Sequence, residues 1–473
     1  MELQIYNTLA RKREGFVPLE EGKVRFYVCG PTVYDYIHLG NARIFIIFDV
    51  FRRYLEKCGY QVIYVQNFTD IEDKMIHRAE ELGITVKELA ERFIDAYLED
   101  ASSLRIKKAT YHPRAAEHVQ EIIKLIEALL EKGMAYQSGR DVLFSTQNFP
   151  DYGKLSQQKK EELVAGARVE VDENKQHPLD FVLWKGEKPG EPAWDSPWGR
   201  GRPGWHIECS AMAMCYLGDT VDIHAGGPDL AFPHHENEIA QSEACTGHTF
   251  VRYWMHSGYL NINKEKMSKS LGNVLTVREL LKQYQPLDLR FLILSAHYRS
   301  PLNFDEEQMQ KAISGRRRLQ NSLDNLRSAF LRAKDKEQEE AERRLEEELS
   351  RAKKDFEAAM KDDFNTAEAF SALFNLSREV NNYLHQPELQ RSLLRLAWDF
   401  YRECNEVLEI LDLPEGSPEE EELDEKVRQA IEERERARQE KNFATADRIR
   451  DELKNQGILL EDTPHGVRWK RIQ

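Results

Sequence analysis

The tetrapeptide His38-Leu39-Gly40-Asn41 follows a short β-rich stretch and opens a helical pattern. The free N–H groups and the dipole at a helix start favour an anion such as phosphate. Gly40, lacking a side chain, lets a flat base or a ribose come close. His38 and Asn41 can donate hydrogen bonds to a phosphate that gains charge in a transition state. Far along the chain, Lys266-Met267-Ser268-Lys269-Ser270 runs into Leu271-Gly272-Asn273. Two lysines astride small polar residues, beside a glycine, suit a loop that folds over a triphosphate and neutralises it. Gly226-Gly227-Pro228-Asp229 puts a carboxylate just past a strand, where ribose hydroxyls can be held. Taken singly, each also reads as a capped turn or a solvated loop.

A second set of residues suits a metal. His234 and Glu238 stand four apart, on one face of a helix. Cys29 ends the first strand, and Cys209 lies in Trp205-His206-Ile207-Glu208-Cys209. Two thiolates, one imidazole and one carboxylate make a four-ligand zinc set. Spacing leaves two choices open: His235 competes with His234, and Cys215 with Cys209. A scattered cysteine also serves as a small buried apolar residue. Gly199 to Gly204 matches the dinucleotide pattern G-x-G-x-x-G, but Trp194-Asp195-Ser196-Pro197-Trp198 before it reads as a loop and Pro203 sits inside it. A nicotinamide or flavin site is therefore rejected.

These residues need elements to position them. Val24 to Cys29 and Val62 to Val65 read as strands, with Ile44, Ile47, Phe48, Phe51 and Leu55 at helical spacing between them. Strand, helix, strand in that order implies a parallel sheet. Thr69-Asp70-Ile71-Glu72 and Thr85-Val86-Lys87-Glu88 both have the shape of a capping box and predict helix starts. Val119 to Leu130 forms an apolar stripe ending at Gly133. Residues 135–200 are rich in Gly, Pro and Trp and read as a less regular insertion, after which Thr220 to His224 resumes the sheet. Residues 311–410 are helix formers. Leu413 to Glu422 reads as a linker, about 424–455 as one helix, and the end as a small sheet with a basic tip.

At 473 residues the chain predicts two to four domains. A hydrophobic share of 41% is enough for sizeable cores and excludes a disordered chain. The 67 basic and 82 acidic residues leave −15, which excludes a uniformly basic nucleic-acid coat but not a local basic face. No apolar run is long enough for a membrane helix, so no membrane partner is expected. Six dispersed cysteines form no disulfide framework, and the start carries no basic-then-apolar signal, so a cytoplasmic location is expected.

Together the motifs resemble a known family. His38 to Asn41 is similar to the HIGH element of class I aminoacyl-tRNA synthetases, and Lys266 to Ser270 to their KMSKS element. Tyr27 to Asp35, Gly204 to Met212, Phe232 to Glu238, Asn442 to Asp447 and Leu460 to Asp462 resemble segments of cysteinyl-tRNA synthetases. The resemblance spans essentially the whole chain. It implies an α/β fold: a Rossmann-like parallel-sheet catalytic domain with an inserted subdomain, a helical-bundle anticodon-binding domain and a small C-terminal α/β element. The expected domains are catalytic 1–115 and 200–250, connective insertion 116–199 and a KMSKS-bearing linker subdomain 251–310. A helical tRNA-binding domain at 311–412 and an anticodon-binding element at 420–473 follow.

The resemblance also implies chemistry. Cysteine is activated with Mg2+-ATP to cysteinyl-adenylate and passed to the terminal ribose of tRNA(Cys). One zinc ion falls to Cys29, Cys209, His234 and Glu238, choosing His234 over His235. His38 and Asn41 hold phosphate and adenosine with Gly40, Gly226 and Asp229. Lys266 and Lys269 meet the triphosphate, and Thr69, Trp205 and His224 wall the cysteine pocket. Zinc favours a substrate thiolate over a serine hydroxyl, a discrimination of roughly 10⁴-fold that needs no editing. One position departs from the family: Asn41 stands where the HIGH element ends in His, and is expected to modulate the rate. Basic residues proposed to meet tRNA are Arg316-Arg317-Arg318, Arg448, Arg450, Arg468, Lys470 and Arg471. A monomer is expected. Two other readings are a ligase joining cysteine to an amino sugar, which lacks the long C-terminal region, and an inactive zinc and RNA-binding relative, which has no need of Lys266 to Ser270.

Overall fold

The computed structural model describes residues 2–157, 174–267, 273–330, 333–334, 339–413, 418–440, 442–455, 458–463 and 466–471. They fall into two compact units. The first comprises Met1–Leu319, Ser350–Leu376 and Glu403–Leu411, and the second Gln320–Leu349, Ser377–Arg402 and Asp412–Gln473.

The first unit is built on a four-stranded parallel sheet in the order Val251–His256, Val221–Gly226, Lys23–Val28, Gln61–Gln66. All six residues of Val221–Gly226 are buried, as in a strand covered on both faces. The helix Leu39–Lys57 links the first two strands in sequence and buries Phe45, Ile46, Ile47, Phe48, Val50 and Phe51. Gly59, at φ 92°, follows its end. The chain leaves after Gln61–Gln66 and returns at Val221–Gly226, on the other side of Lys23–Val28. Strand order thus reverses at Lys23–Val28, and a crevice opens outside the carboxyl ends of these strands.

The insertion is more regular than its composition predicts. Ala135–Ser138, Asp141–Phe144, Phe181–Gly186 and Gly201–Pro203 form an antiparallel sheet in chain order. Gly139 and Gly153 lie at turns, Gly186 ends the third strand, Gly201 and Pro203 stand in the last, and Trp184 is buried. The second capping box holds: Thr85 caps Val86–Ser103 with Glu88 answering. The first does not. Glu72, rather than Thr69, caps the helix Asp73–Leu82. Thr69 is engaged elsewhere, its N–H on the Pro31 carbonyl and its carbonyl on the Val33 N–H.

Helices Glu306–Phe330, Glu340–Lys361, Thr366–Tyr383 and Arg391–Leu408 match the expected helical texture. Parts of all four belong to the first unit, where Phe364 stacks on Phe51 at 3.9 Å and Tyr54 donates to Glu357. In the second unit, Tyr383 donates to Glu342 at 2.7 Å. Of the run assigned to a linker, residues 414–417 lie outside the described residues and the part from Pro418 is helical: Pro418–Gln439 begins at a proline, whose fixed φ suits a first turn. The single helix expected at 424–455 is two, because Asn442 accepts from the Thr445 N–H and starts Phe443–Asn455 afresh. Ile458–Thr463 and Gly466–Arg471 pair antiparallel, as expected.

Candidate active site

A cavity of about 400 Å³ lies at the crevice, lined among others by Cys29, Tyr36, His38, Gly40, Asn41, Trp205, Asp229, Tyr259 and Met267. His38 is the N-cap of Leu39–Lys57. Its Nδ1 accepts the Asn41 N–H at 3.1 Å, and Asn41 Oδ1 accepts the His38 N–H at 3.3 Å. The amide in the HIGH-like element therefore completes a capping box. A Cβ on Gly40 would fall 2.7 Å from Met267 Cε and 3.0 Å from His38 Nδ1. With Met267 and His38 as they stand, a side chain at position 40 must displace one of them. Buried Arg43 binds the Gly258 and Tyr259 carbonyls at 2.9 and 2.6 Å and so fixes the loop under this end.

The other end of the cavity leads to a buried polar cluster. Cys29, Cys209, His234 and Glu238 are all buried, and their donor atoms lie within 4.8 Å of one another. They arrive from four places: the end of Lys23–Val28, the helix Trp205–Leu217, the turn Ala231–His235 and the helix Glu236–Thr246. His234 Nε2 stands 3.0 Å from Glu238 Oε1, the expected one-face pair. The Trp205 ring stacks on His234 at 4.5 Å. His224 and His235 also reach Glu238, at 2.9 and 4.0 Å. The competition between the two adjacent histidines is thus physical, since both face one carboxylate.

The electrostatics suit a cation. The hydrogen bond from Cys29 holds the Cys209 thiol low, against burial, at about 6. Against burial, His224 and His234 keep Glu238 below the usual carboxylate range. Burial opposes a charge on His234, yet Glu238 and Cys209 hold its proton firmly. An ionised thiol and carboxylate thus share a proton that a metal ion can replace. Burial keeps His206 and His235 neutral, the form in which imidazole ligates. The donor set therefore fits a divalent metal.

Other assigned residues distribute unevenly. Thr69 and His224 are buried and are not among the residues lining the cavity, nor is Gly226. Thr69 accepts from the Asn67 side chain at 3.4 Å. A Cβ on Gly226 would press within 2.9 Å of the His235 ring. Lys266 ends the short strand Glu265–Lys266, whereas Ser268, Lys269 and Ser270 lie outside the described residues. Arg316 is not available to nucleic acid: it is buried and ion-paired with Asp288. Arg318 lies over the Phe374 ring at 4.4 Å, and Arg450 pairs with Asp447 at 3.2 Å.

Sequence reasoning passes over His206, His256, Tyr27 and the role of Glu208. His206 touches the free ring nitrogen of His234 at 2.9 Å. Tyr27 and Glu208 are buried with side-chain oxygens lacking a hydrogen-bond partner. One signal was present. Six of the chain's 14 histidines fall between residues 206 and 256: His206, His224, His234, His235, His248 and His256.

Residues 15–314 match the model of the class I (C) tRNA synthetase catalytic domain. Residues 355–412 match a DALR domain, and 420–469 the cysteinyl-tRNA ligase anticodon binding domain. A cysteine–tRNA ligase of Thermococcus gammatolerans is 54% identical over 475 residues, covering all of both chains. One of Heliobacterium modesticaldum is 54% identical over 483 residues, again covering both fully. Among solved structures, a Mycobacterium tuberculosis methionyl-tRNA synthetase with methionyl-adenylate aligns at TM-score 0.60 and 15% identity, covering 81% of this chain and 89% of that one. A LeuRS–tRNA–LeuAMS complex from Agrobacterium radiobacter K84 aligns at TM-score 0.60 and 12% identity, covering 84% and 85%. At such identities these two show the α/β fold alone. On the full-length relatives and the family models, the chain belongs to the cysteinyl-tRNA synthetase family.

Proposed function

We propose that the two ends of the cavity divide the work of this enzyme between them. The activity is the ATP-dependent charging of tRNA with cysteine. In the first step a carboxylate oxygen of cysteine attacks the α-phosphorus of Mg2+-ATP, and pyrophosphate leaves. In the second the 2′-hydroxyl of the terminal ribose of tRNA(Cys) takes the cysteinyl group from AMP.

His38, Gly40 and Asn41 receive adenosine and the α-phosphate at the start of Leu39–Lys57, where backbone N–H groups and the helix dipole favour anions. Asp229 holds the ribose, with Gly226 packed behind. Lys266 and Lys269 neutralise the triphosphate. Mg2+ travels with ATP. No side chain is needed as a nucleophile; positioning and electrostatics lower the barrier.

Cys29, Cys209, His234 and Glu238 hold zinc. Bound there, zinc supplies a soft coordination position for the substrate thiolate, which a hydroxyl fills poorly. Trp205, 38% exposed against His234, covers this end, while Thr69 and His224 brace it from within. Residues 420–473 meet the anticodon and 311–412 the tRNA body, with Arg448, Arg468, Lys470 and Arg471 as phosphate contacts. The enzyme acts as a cytoplasmic monomer. No helix among the described residues is long and apolar enough to cross a membrane.

One observation carries this reading: Cys29 belongs both to the buried donor set and to the wall of the cavity that His38 and Asn41 line. The test is cysteine-dependent tRNA charging with zinc content measured alongside. One zinc per chain is expected, with both zinc and charging lost in Cys29→Ser. Undiminished charging by a metal-free, folded Cys29→Ser protein would sink the zinc assignment.

A further inference from the structure

We propose that the buried cluster contains two overlapping metal seats that share Cys29 and Glu238. The proposal rests on the metal reading of this site and extends it. The first seat is Cys29, Cys209, His234 and Glu238; the second is Cys29, His224, His235 and Glu238. In both sets every residue is buried and all donor atoms lie within 4.8 Å of one another.

The second seat has the spacing of a coordination shell. Cys29 Sγ stands 3.3 Å from His235 Nε2 and 3.7 Å from Glu238 Oε1. His235 Nε2 is 4.0 Å from Glu238 Oε1, and His224 Nε2 is 2.9 Å from Glu238 Oε2. Tetrahedral bonds of about 2.0–2.3 Å put neighbouring donors roughly 3.3–3.8 Å apart. The two Cys29 distances, 3.3 and 3.7 Å, fall in that range, and the two Glu238–histidine distances, 2.9 and 4.0 Å, lie within about 0.4 Å of it.

It also has the outer support that orients a ligating histidine. His235 Nδ1 bonds His256 Nε2 at 2.8 Å, and His256 Nδ1 bonds Thr8 Oγ1 at 2.9 Å. This chain fixes His235 Nε2 toward Cys29 and Glu238. In the first seat His206 does the same for His234, at 2.9 Å. His224 is held by stacking on Trp254 at 4.6 Å. Each of the adjacent histidines is thus braced for its own seat.

The seats differ in chemistry. The first offers two thiolates and one imidazole and suits zinc. The second offers one thiolate and two imidazoles, which suits nickel or cobalt equally well. The two seats are alternatives for a single ion, the stoichiometry that the test below reads. The second seat takes the ion when Cys209 cannot serve as a thiolate.

The test is Co2+ binding, read by stoichiometry and by the thiolate-to-cobalt charge-transfer band. In Cys209→Ser one Co2+ per chain should remain, with roughly half the band intensity, as two thiolates become one. In that background His235→Ala should empty the site and His234→Ala should not. In the unmodified chain neither change alone should empty the site, because the other seat stays intact; His234→Ala should instead lower the band toward the one-thiolate value as the ion moves to the second seat. A folded Cys209→Ser protein that binds no Co2+, or that loses it on His234→Ala, overturns the proposal. Should Cys209→Ser fail to fold, Ni2+ and Zn2+ binding to the unmodified chain and to His235→Ala decides. A 10- to 100-fold loss for Ni2+ with Zn2+ unchanged supports two seats. Parallel change in both ions, or change in neither, overturns them. An unmodified chain that takes up no Co2+ fails earlier, at the metal reading itself.

Discussion

The two ends of the cavity are built on opposite plans. At the metal end, Cys29, Cys209, His234 and Glu238 are at most 6% exposed and come from four separate segments. The His234 imidazole is braced by His206, and all four donors are buried. At the nucleotide end, His38, Gly40 and Asn41 are consecutive or nearly so, half-buried, and arranged by one helix start. The contrast follows from what each end must do. Discriminating a thiolate from a hydroxyl requires donors fixed before the substrate arrives, in a dry setting where charge interactions are strong. Receiving a triphosphate and releasing pyrophosphate requires an opening, and backbone N–H groups at a helix start give anion affinity without a closed cage.

The largest expected effect tests the selective end. Cys29→Ala removes a donor common to both metal seats. Cysteine-dependent ATP–pyrophosphate exchange should fall by about 10⁴-fold, the scale on which a site built for one polar group rejects its absence. Metal content should fall with it. ATP binding alone should change little, because the nucleotide end shares no metal donor. A comparable loss of ATP binding would erase the distinction between the ends.

The same contrast explains what the sequence makes legible. The nucleotide end is written in contiguous letters, since one helix N-terminus brings His38, Gly40 and Asn41 together. The parallel sheet was legible for a similar reason: Lys23–Val28, Leu39–Lys57 and Gln61–Gln66 are local in sequence. The metal end depends on the chain returning to the sheet at Val221–Gly226, far in sequence from Gln61–Gln66, which spacing cannot reveal. There the residues alone left His234 and His235 in competition, and the geometry shows both at the same carboxylate. Thr69-Asp70-Ile71-Glu72 misled because tertiary pairing to Pro31 and Val33 took Thr69 out of the helix. The glutamates after Pro418 misled because a run of like charges reads as solvated linker, while a proline at the first position favours a helix start.

A second prediction concerns the dryness near Thr69. Burial pushes the Asp70 carboxyl up to about 6, although the Ala116 N–H and its own N–H favour the anion. The folded chain therefore holds this proton more tightly than the unfolded chain does. Below about pH 4 the two states are alike. As pH rises through 6, the folded state must bury a carboxylate, and roughly 2–3 kcal/mol of stability is lost. Asp70→Asn keeps an oxygen for the Ala116 N–H and cannot ionise. It should be more stable than the unmodified chain by that amount at pH 8 and equal to it at pH 4, by denaturant unfolding. An equal difference at both pH values would show that the dry end carries no such cost.

The third prediction moves to the open end. Gly40→Ala places a Cβ 2.7 Å from Met267 Cε and 3.0 Å from His38 Nδ1. A flexible methionine can swing away, but the histidine is held by its cap. Cysteine activation should slow by about 10- to 100-fold, or roughly 1.4–2.7 kcal/mol. Adding Met267→Ala should recover only part of the loss. Full recovery would mean that His38 is not fixed, and that the capping geometry does not set the nucleotide end.

Asn41→Ala should have the smallest effect and separates the two ends most cleanly. The change removes the Oδ1 acceptor of the His38 N–H, while the residue 41 N–H still donates to His38 Nδ1. Losing one half of a capping box costs about 1 kcal/mol of stability. Activation should slow by roughly tenfold or less, the rate equivalent of a similar energy. Asn41→His retains a ring nitrogen as acceptor and can also carry charge, so it should equal or exceed the unmodified rate. In both variants the preference for cysteine over serine should stay where it is, because the donors that set it touch neither His38 nor Asn41. A shift in that preference, measured as the ratio of the two exchange rates, would mean that the helix start and the buried cluster are coupled through Leu39–Lys57, and that selection and catalysis are not divided along the cavity.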